Sequence, residues 1–352
     1  MSRIITFGAA IREALDQAME ADENVIVYGL GVDDPKAIFG TTDGLRSKYG
    51  GERVFDMPTS ENAMTGVGIG AALNGIRPVM VHQRLDFFLL AMDQVVNSAA
   101  PWHFMFGGEG NVPIVIRLIM GRGWGQGPTH SHNLQAWFAH IPGLKVVMPA
   151  SPEDAKGLLL ESIHDDNPVI FLEHRWLHNI TGYVPEEPVR IPLSKARRVR
   201  EGSDLTIVAM SYMVIEAIHA AEYLTTVGIS VDILDLRTVA PIDWPAVFES
   251  VRRTGRVIAL DTGTTTGSIS GEIVARVAAE CWDSLKTAPR RLAMPDFPEG
   301  TSQALTANYH VRAEDVVRLV GEMVGRPVDP APLAAQRQHP HDVPGDWFKG
   351  PF

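Results

Sequence analysis

Cysteine is nearly missing from this chain: Cys281 is the single example among 352 residues. One thiol excludes an internal disulfide and a cysteine-built zinc site. Within the helical run Gly271–Leu285 it reads as a plain buried cysteine. Positive charge is also scarce, with 31 Lys and Arg against 42 Asp and Glu, a formal net charge of -11. That balance argues against nucleic acid or an anionic membrane as the main partner. No apolar run is long enough to span a bilayer. The start, Met1-Ser-Arg-Ile, runs into an amphipathic helix and has no signal-peptide pattern, so a cytoplasmic protein is the default expectation. The lysine that a phosphate loop needs after its second glycine is missing, as is the spaced glycine fingerprint of a dinucleotide domain. A nicotinamide dehydrogenase is therefore the poorest of the enzyme readings.

What is present is an alternation of helical and strand patterns in a chain long enough for two cores. The apolar share, 45%, is ordinary for a soluble protein. Thr6 can cap a helix over about 7–21. Continuous apolar strands follow at Asn24–Tyr28, Pro78–His82, Val112–Arg117, Lys145–Pro149 and Pro168–Glu173, with helical patterns at about 86–100, 132–140 and 152–165. Strands of this kind are buried on both faces, as in a parallel sheet. Gly182–Ser203, with Pro185, Pro188 and Pro192, reads as an interdomain linker. Alternation then resumes with strands at Asp204–Met210, Ile229–Leu236 and Arg256–Asp261 and helices at about 212–227, 243–253, 270–285 and 313–325. The segment beyond Arg326 is rich in proline and predicts neither a packed helix nor a central strand; it is expected to wrap a surface or a partner subunit. The division predicted is 1–183, a linker 184–203, 204–326 and a tail 327–352.

The segment Val54–Val79 carries the most information. It reads as a short strand, a loop, then a helix rich in Gly66, Gly68, Gly70, Ala71 and Ala72, a surface that something can approach closely. Glu61 stands in its first turn, after Thr59 and Ser60, either of which can cap the helix. An acidic residue there often only complements the helix dipole. A carboxylate desolvated by apolar neighbours would instead bind a protonated heterocycle nitrogen strongly.

A second segment, Ile119–Trp137, places four glycines in seven residues directly after a buried strand, where open α/β sheets bind ligands. His130 and His132 lie where the next helix begins. His-x-His can serve a metal, but no other ligand cluster supports that. Cap or surface histidines are one reading; His130 as an acid/base or charge-stabilising group is the other. Phe87 and Phe88 open a helix, either as core or with one ring stacked on an aromatic ligand. The turn Asp261–Ile273 is glycine- and hydroxyl-rich and enters a helix, like an anion-binding turn; an interdomain or subunit contact is the equal alternative. The loop Ser162–Pro168 can hold a hard cation through its carbonyls, Asp165 and Asn167, or be a simple turn shaped before Pro168.

Together these segments resemble the beta subunit of the decarboxylating component of 2-oxoacid dehydrogenase complexes, over about residues 5–325. The strongest parts are Met92-Asp-Gln-Val-Val-Asn-Ser-Ala-Ala, Pro142-Gly-Leu-Lys-Val-Val-Met-Pro, Glu153-Asp-Ala-Lys-Gly-Leu-Leu and Asp166-Asn-Pro-Val-Ile-Phe-Leu-Glu-His. The resemblance implies two three-layer α/β domains, a transketolase-like pyrimidine-binding domain and a transketolase C-terminal-like domain. It implies the aminopyrimidine half of a thiamine diphosphate site, with diphosphate and Mg2+ held by an alpha subunit in an alpha2beta2 heterotetramer; no Gly-Asp-Gly…Asn magnesium-diphosphate motif is present here. By position Glu61 resembles the family carboxylate at the pyrimidine ring nitrogen, favouring the imino tautomer that takes the thiazolium proton. Phe87 resembles the aromatic at the pyrimidine, with Ser60 and Leu90 beside the cofactor. His130 matches the histidine of the Gln-His-Ser block, which assists the thiamine-bound intermediate or acyl transfer to a lipoyl group. Ile114, Ser162, Ile163, Asp165 and Asn167 fall where some members bind potassium.

This sequence departs from the family at Thr129, where glutamine is usual, at Val81-His82, where a Glu-Phe pair is usual, and at Leu90, where a polar residue is common. The loop Leu118–Thr129 carries Arg122, Trp124 and Gln126 in unusual places. The expected activity is oxidative decarboxylation of a 2-oxoacid with transfer to a lipoyl carrier, and a lipoyl acyltransferase core as partner. A split transketolase-like or acyloin-type enzyme subunit is the alternative within the cofactor class, and a non-catalytic assembly subunit the alternative outside it.

Overall fold

The computed structural model describes residues 3–34, 36–123, 125–348 and 350. They divide into two compact units: 3–123 with 129–193 and Gly350, and 125–128 with 194–348. The boundary after Leu193 lies inside the stretch expected as a linker. Within that stretch Arg197–Arg200 forms a strand, and Thr181–Tyr183 pairs antiparallel with Ile4–Thr6. Proline spacing hid both, because short edge strands tolerate prolines close by.

The first unit is built on six parallel strands, β1 (Val25–Gly29), β2 (Val54–Asp56), β3 (Arg77–His82), β4 (Val115–Met120), β5 (Lys145–Val147) and β6 (Val169–His174). Their order is β5-β6-β4-β3-β1-β2. β3, β4 and β6 are buried almost throughout, which explains their unbroken apolar runs. β4 begins three residues later than the sequence suggests; Pro113 has no N–H to offer a ladder.

Helix α1 (Phe7–Ala21) is capped by Thr6, whose hydroxyl accepts from Ala9 N at 3.2 Å, and it buries Phe7, Ile11 and Leu15. It packs against the helix Pro152–His164, itself capped by Ser151. Helix α2 (Glu61–Leu73) packs on β3. A short helix, α3 (Leu85–Phe88), follows β3 and continues as a 3-10 turn over Leu89–Ala91 and a π-helical stretch over Gln94–Ala99. Of the helix expected over 132–140 only Gln135–Ala139 forms.

The second unit carries a five-stranded sheet in the order Arg290–Met294, Val257–Thr264, Leu205–Ala209, Val231–Asp235, Arg197–Arg200, the last antiparallel to its neighbour. Arg290–Met294 was not legible as a strand, being a charged edge. The helix expected over 270–285 stops at Glu280, and Cys281 is a buried free thiol at its C-cap. Residues 327–348 of the tail fold back on their own unit. Arg312 donates to the carbonyls of His341 and Val343, and Arg337 pairs with Glu314 at 2.7 Å. One turn of helix, Ala331–Ala334, forms within it, with proline in the first turn, where no N–H is needed. Among the described residues no helix is long and apolar enough to cross a membrane.

Candidate functional site

The carboxyl ends of β1, β2 and β3 open into a cavity of about 540 Å³. Leu30 and Gly31 follow β1, Asp56 and Met57 end β2, and Gln83 and Phe87 follow β3. Glu61 lines the same cavity from the first turn of α2 and is 8% exposed. Its carboxylate accepts no hydrogen bond from any described residue. A carboxylate that opens on a cavity and has no partner from its own chain is available to a donor from outside. The position fits an N–H of a flat heterocycle, with Phe87 as a ring to pack against it.

The cap expected beneath Glu61 is different in detail. Ser60 holds the N-cap position, but its side chain makes no capping bond, and it is not part of the cavity wall, whereas Thr59 is. The close approach expected along the glycines of α2 comes from the chain itself. A Cβ on Gly68 would lie 2.0 Å from the Tyr28 hydroxyl, which donates to Met64 O at 3.0 Å. A Cβ on Gly70 would meet nothing within 4 Å beyond its own helix. Glu61 therefore faces the cavity off the end of the helix rather than across the glycine surface. Leu90, 70% exposed, also stands outside the wall.

The two phenylalanines separate. Phe88 is fully buried against His82 and Phe138, whereas Phe87 lines the cavity. His82 is fully buried, and its ring nitrogens have no hydrogen-bond partner among the described residues. Burial pushes its pKa down to about 4, so it is a neutral core residue.

The glycine-rich loop returns His130 to Phe87, where the rings meet edge to face at 5.2 Å. His130 Nδ1 pairs with Thr129 Oγ1 at 3.0 Å. His132 is bound to Asp86, which sequence reasoning passed over; the signal was an acidic residue immediately before the cavity's phenylalanine. Its pKa is raised by the hydrogen bond to Asp86, against the pull of burial. Within this loop Trp124 lies outside the described residues. Gln83 and the Leu30–Asp34 loop were also missed, since neither carries a motif.

The proposed potassium cradle is arranged otherwise. The carbonyls of Ile163 and Asp165 accept from Arg77 Nη1 at 3.1 and 3.2 Å. Lys145 Nζ contacts the Asp165 carboxylate, whose other oxygen accepts from Asn167 N at 2.9 Å. The Ile114 carbonyl accepts from Val169 N, and Ser162 Oγ donates to Leu158 O. Two side-chain cations already serve these oxygens, so as arranged the loop does not fit a potassium ion. Among the described residues no group of three or more His, Cys, Asp and Glu is placed to hold a metal.

The turn after Val257–Thr264 is likewise filled by its own carboxylates. Asp261 accepts from the backbone N–H groups of Gly263 and Ser270 at 2.9 and 3.0 Å, and Asp296 accepts from Thr266 N at 2.8 Å. These are the amides an external anion would need.

The fold and the carboxylate-lined cavity at its strand ends define a two-domain chain of the transketolase class. Residues 4–179 match the family model for the transketolase pyrimidine binding domain, and 194–316 that for the transketolase C-terminal domain. The acetoin:2,6-dichlorophenolindophenol oxidoreductase subunit beta of Cupriavidus necator is 41% identical over 319 residues, 88% of this chain and 94% of the relative. The mitochondrial pyruvate dehydrogenase E1 component subunit beta-1 of Oryza sativa subsp. japonica is 38% identical over 335 residues, 94% of this chain and 89% of the relative. A solved split gene transketolase, described as an inactive beta4 tetramer, shares the fold with a TM-score of 0.73 at 23% identity, covering 92% of this chain and 99% of that one. The chain belongs to the family of transketolase-like beta subunits of 2-oxoacid and acetoin dehydrogenases.

Proposed function

We propose that this chain is the beta subunit of a thiamine-diphosphate-dependent 2-oxoacid dehydrogenase and supplies the aminopyrimidine half of the cofactor site. The observation that carries this reading is Glu61, whose carboxylate has no partner among the described residues and lines the cavity wall that Phe87 shares. When bound, thiamine diphosphate supplies the carbanion chemistry for cleaving the bond next to a carbonyl. The protein's part is to orient and to manage protons. Glu61 would accept a hydrogen bond from a ring N–H of the pyrimidine and so favour one tautomer. Phe87 would pack against the ring. His130, against Phe87, would donate a proton to a developing oxyanion or to the thiolate released when the carrier's disulfide is opened by the acyl group.

The diphosphate and its Mg2+ are assigned to an alpha subunit, in an alpha2beta2 assembly, with a lipoyl acyltransferase core as acyl acceptor. Potassium forms no part of the reading. A second reading, cleavage or formation of an acyloin, is favoured by the identity to the Cupriavidus necator acetoin oxidoreductase subunit.

The test is turnover by this chain co-purified with an alpha-type subunit, given thiamine diphosphate, Mg2+ and dichlorophenolindophenol as electron acceptor. Pyruvate, branched-chain 2-oxoacids, acetoin and ketose phosphates are screened in parallel. Oxoacid turnover that needs both chains supports the dehydrogenase. Acetoin turnover with no oxoacid turnover selects the acyloin reading. Ketose phosphate turnover would move the chain to a split transketolase, and full activity of a Glu61→Gln chain would remove the catalytic reading altogether.

A further inference from the structure

The segment that carries His130 is anchored two residues further on. His132 is tied to the first unit at three atoms. Its carbonyl accepts from Gly121 N at 3.1 Å, its backbone N–H donates to Asp86 Oδ1 at 3.3 Å, and its Nδ1 meets the same carboxylate oxygen. Gly121 is itself fixed. Its carbonyl accepts from Arg84 Nη1 at 3.2 Å. Its φ of +75° suits glycine, and a Cβ there would lie 2.4 Å from His174 Nε2. The Asp86 side chain is 5% exposed and that of His132 is 42% exposed.

Asp86 and Phe87 are consecutive on α3, and they hold alternate residues of the loop: Asp86 takes His132, and the Phe87 ring meets His130. The only hydrogen bond of the His130 ring among the described residues is to its neighbour Thr129. A ring so lightly held keeps its place through the backbone on either side, and on one side that backbone is pinned by Asp86.

We propose that Asp86 and His132 form a charge-assisted clamp that positions His130 over Phe87 and loosens as pH rises. The clamp takes its purpose from the reading of His130 given above, but its existence does not depend on that reading. Both are positioning residues, since neither lines the cavity. The sign follows from the direction of the His132 shift, which is upward. A cation stabilised in the folded state contributes fully below its ordinary value of about 6.5, and the contribution is lost as pH rises through the folded value. The charged and titratable groups about the clamp are Asp86 on α3, Arg84 before it, Arg122 past β4, His174 at the end of β6, Arg175 after it, and His130 on the segment itself. Burial lowers the pKa of Arg84, against the pull of Asp86, and that of Arg175 to about 10, so both remain mainly charged up to about pH 9, whereas His132 is the group held up chiefly by its hydrogen bond to Asp86.

The test is hydrogen exchange of the full-length chain on peptides covering 119–134, at about pH 6 and about pH 9, corrected for intrinsic exchange. The unmodified chain is expected to lose roughly tenfold in protection between the two. Asp86→Asn should be weakly protected at both. His132→Gln, whose backbone N–H still reaches Asp86, should be protected at both with the pH dependence gone. In the assembled enzyme His132→Ala should lower kcat more than His132→Gln does, with cofactor affinity unmoved. Unaltered protection in Asp86→Asn, or a pH dependence that survives in His132→Gln, would overturn the clamp. If His130→Ala keeps full turnover while the exchange pattern is as expected, the role given to His130 fails and the clamp stands.

Discussion

Phe87 and His130 meet edge to face, 5.2 Å between ring centroids with their planes 89° apart. Phe87 belongs to α3 and His130 to the glycine-rich segment, and the contact joins the cavity wall to the histidine proposed for proton transfer. Phe87→Ala should weaken thiamine diphosphate binding about tenfold or less in the assembled enzyme, the amount that a ring contact worth about 0.5–1.5 kcal/mol allows. Calorimetric titration reads this directly, and unchanged affinity would remove Phe87 from the cofactor site.

Glu61→Gln keeps shape and volume while removing the charge. It should lower turnover by about 10²–10⁴-fold and leave thermal unfolding nearly unchanged, because Glu61 bonds to no described side chain. A large fall in unfolding temperature would show instead that the carboxylate holds the fold.

Arg117 and Glu173 form a fully buried bidentate pair, at 2.6 and 3.0 Å, with His178 Nε2 at 3.1 Å from the same carboxylate. Burial alone would raise the Glu173 pKa. The charge of Arg117 and the hydrogen bonds from His178 and Arg117 outweigh it and hold the carboxyl at about 2. Its stabilisation is present above the ordinary carboxyl range and is lost as pH falls through that value. Glu173→Gln should cost about 3–5 kcal/mol. Its unfolding free energy should also vary less with pH between about pH 5 and about pH 2, which denaturant titrations across that range measure.

Gly68 lies against the Tyr28 hydroxyl, and a Cβ there would fall 2.0 Å from Tyr28 Oη and 2.9 Å from Ile114 Cδ1. Gly68→Ala should destabilise the first unit by about 1–3 kcal/mol through overpacking. Tyr28→Phe removes the nearer atom, so the double variant should be less damaged than the single losses added together. A strictly additive cycle would show that the two positions are not coupled.

Arg77 occupies the carbonyls expected to hold potassium. Unfolding temperature should be the same in potassium and in tetramethylammonium salts. Arg77→Ala should lose about 1–3 kcal/mol, with part of the loss restored by potassium. Stabilisation of the unmodified chain by potassium would mean that the ion displaces the guanidinium.

Much of this protein is legible in its residues. Long apolar runs such as Val169–His174 admit only a buried parallel strand, and Thr6 and Ser151 announce the helices that follow them. Glu61 and His130 were visible because unusual glycine content surrounds both. Short or charged edge strands such as Arg197–Arg200 and Arg290–Met294 were not, since their pairing partners lie far away in the chain and their own composition is that of a loop.

Local chemistry thus determined which segments become helix and strand and which residues can carry charge or a proton, because propensity, capping and burial patterns act over a few neighbours. Only the tertiary structure decided what meets what. It set Phe87 on the cavity and Phe88 in the core, gave the potassium carbonyls to Arg77 and the turn amides to Asp261, and brought Asp86 under His132. These contacts join residues separated by up to about ninety positions in the chain, and hydrogen bonds and steric fit act over a few ångströms of space, whatever the distance along the sequence.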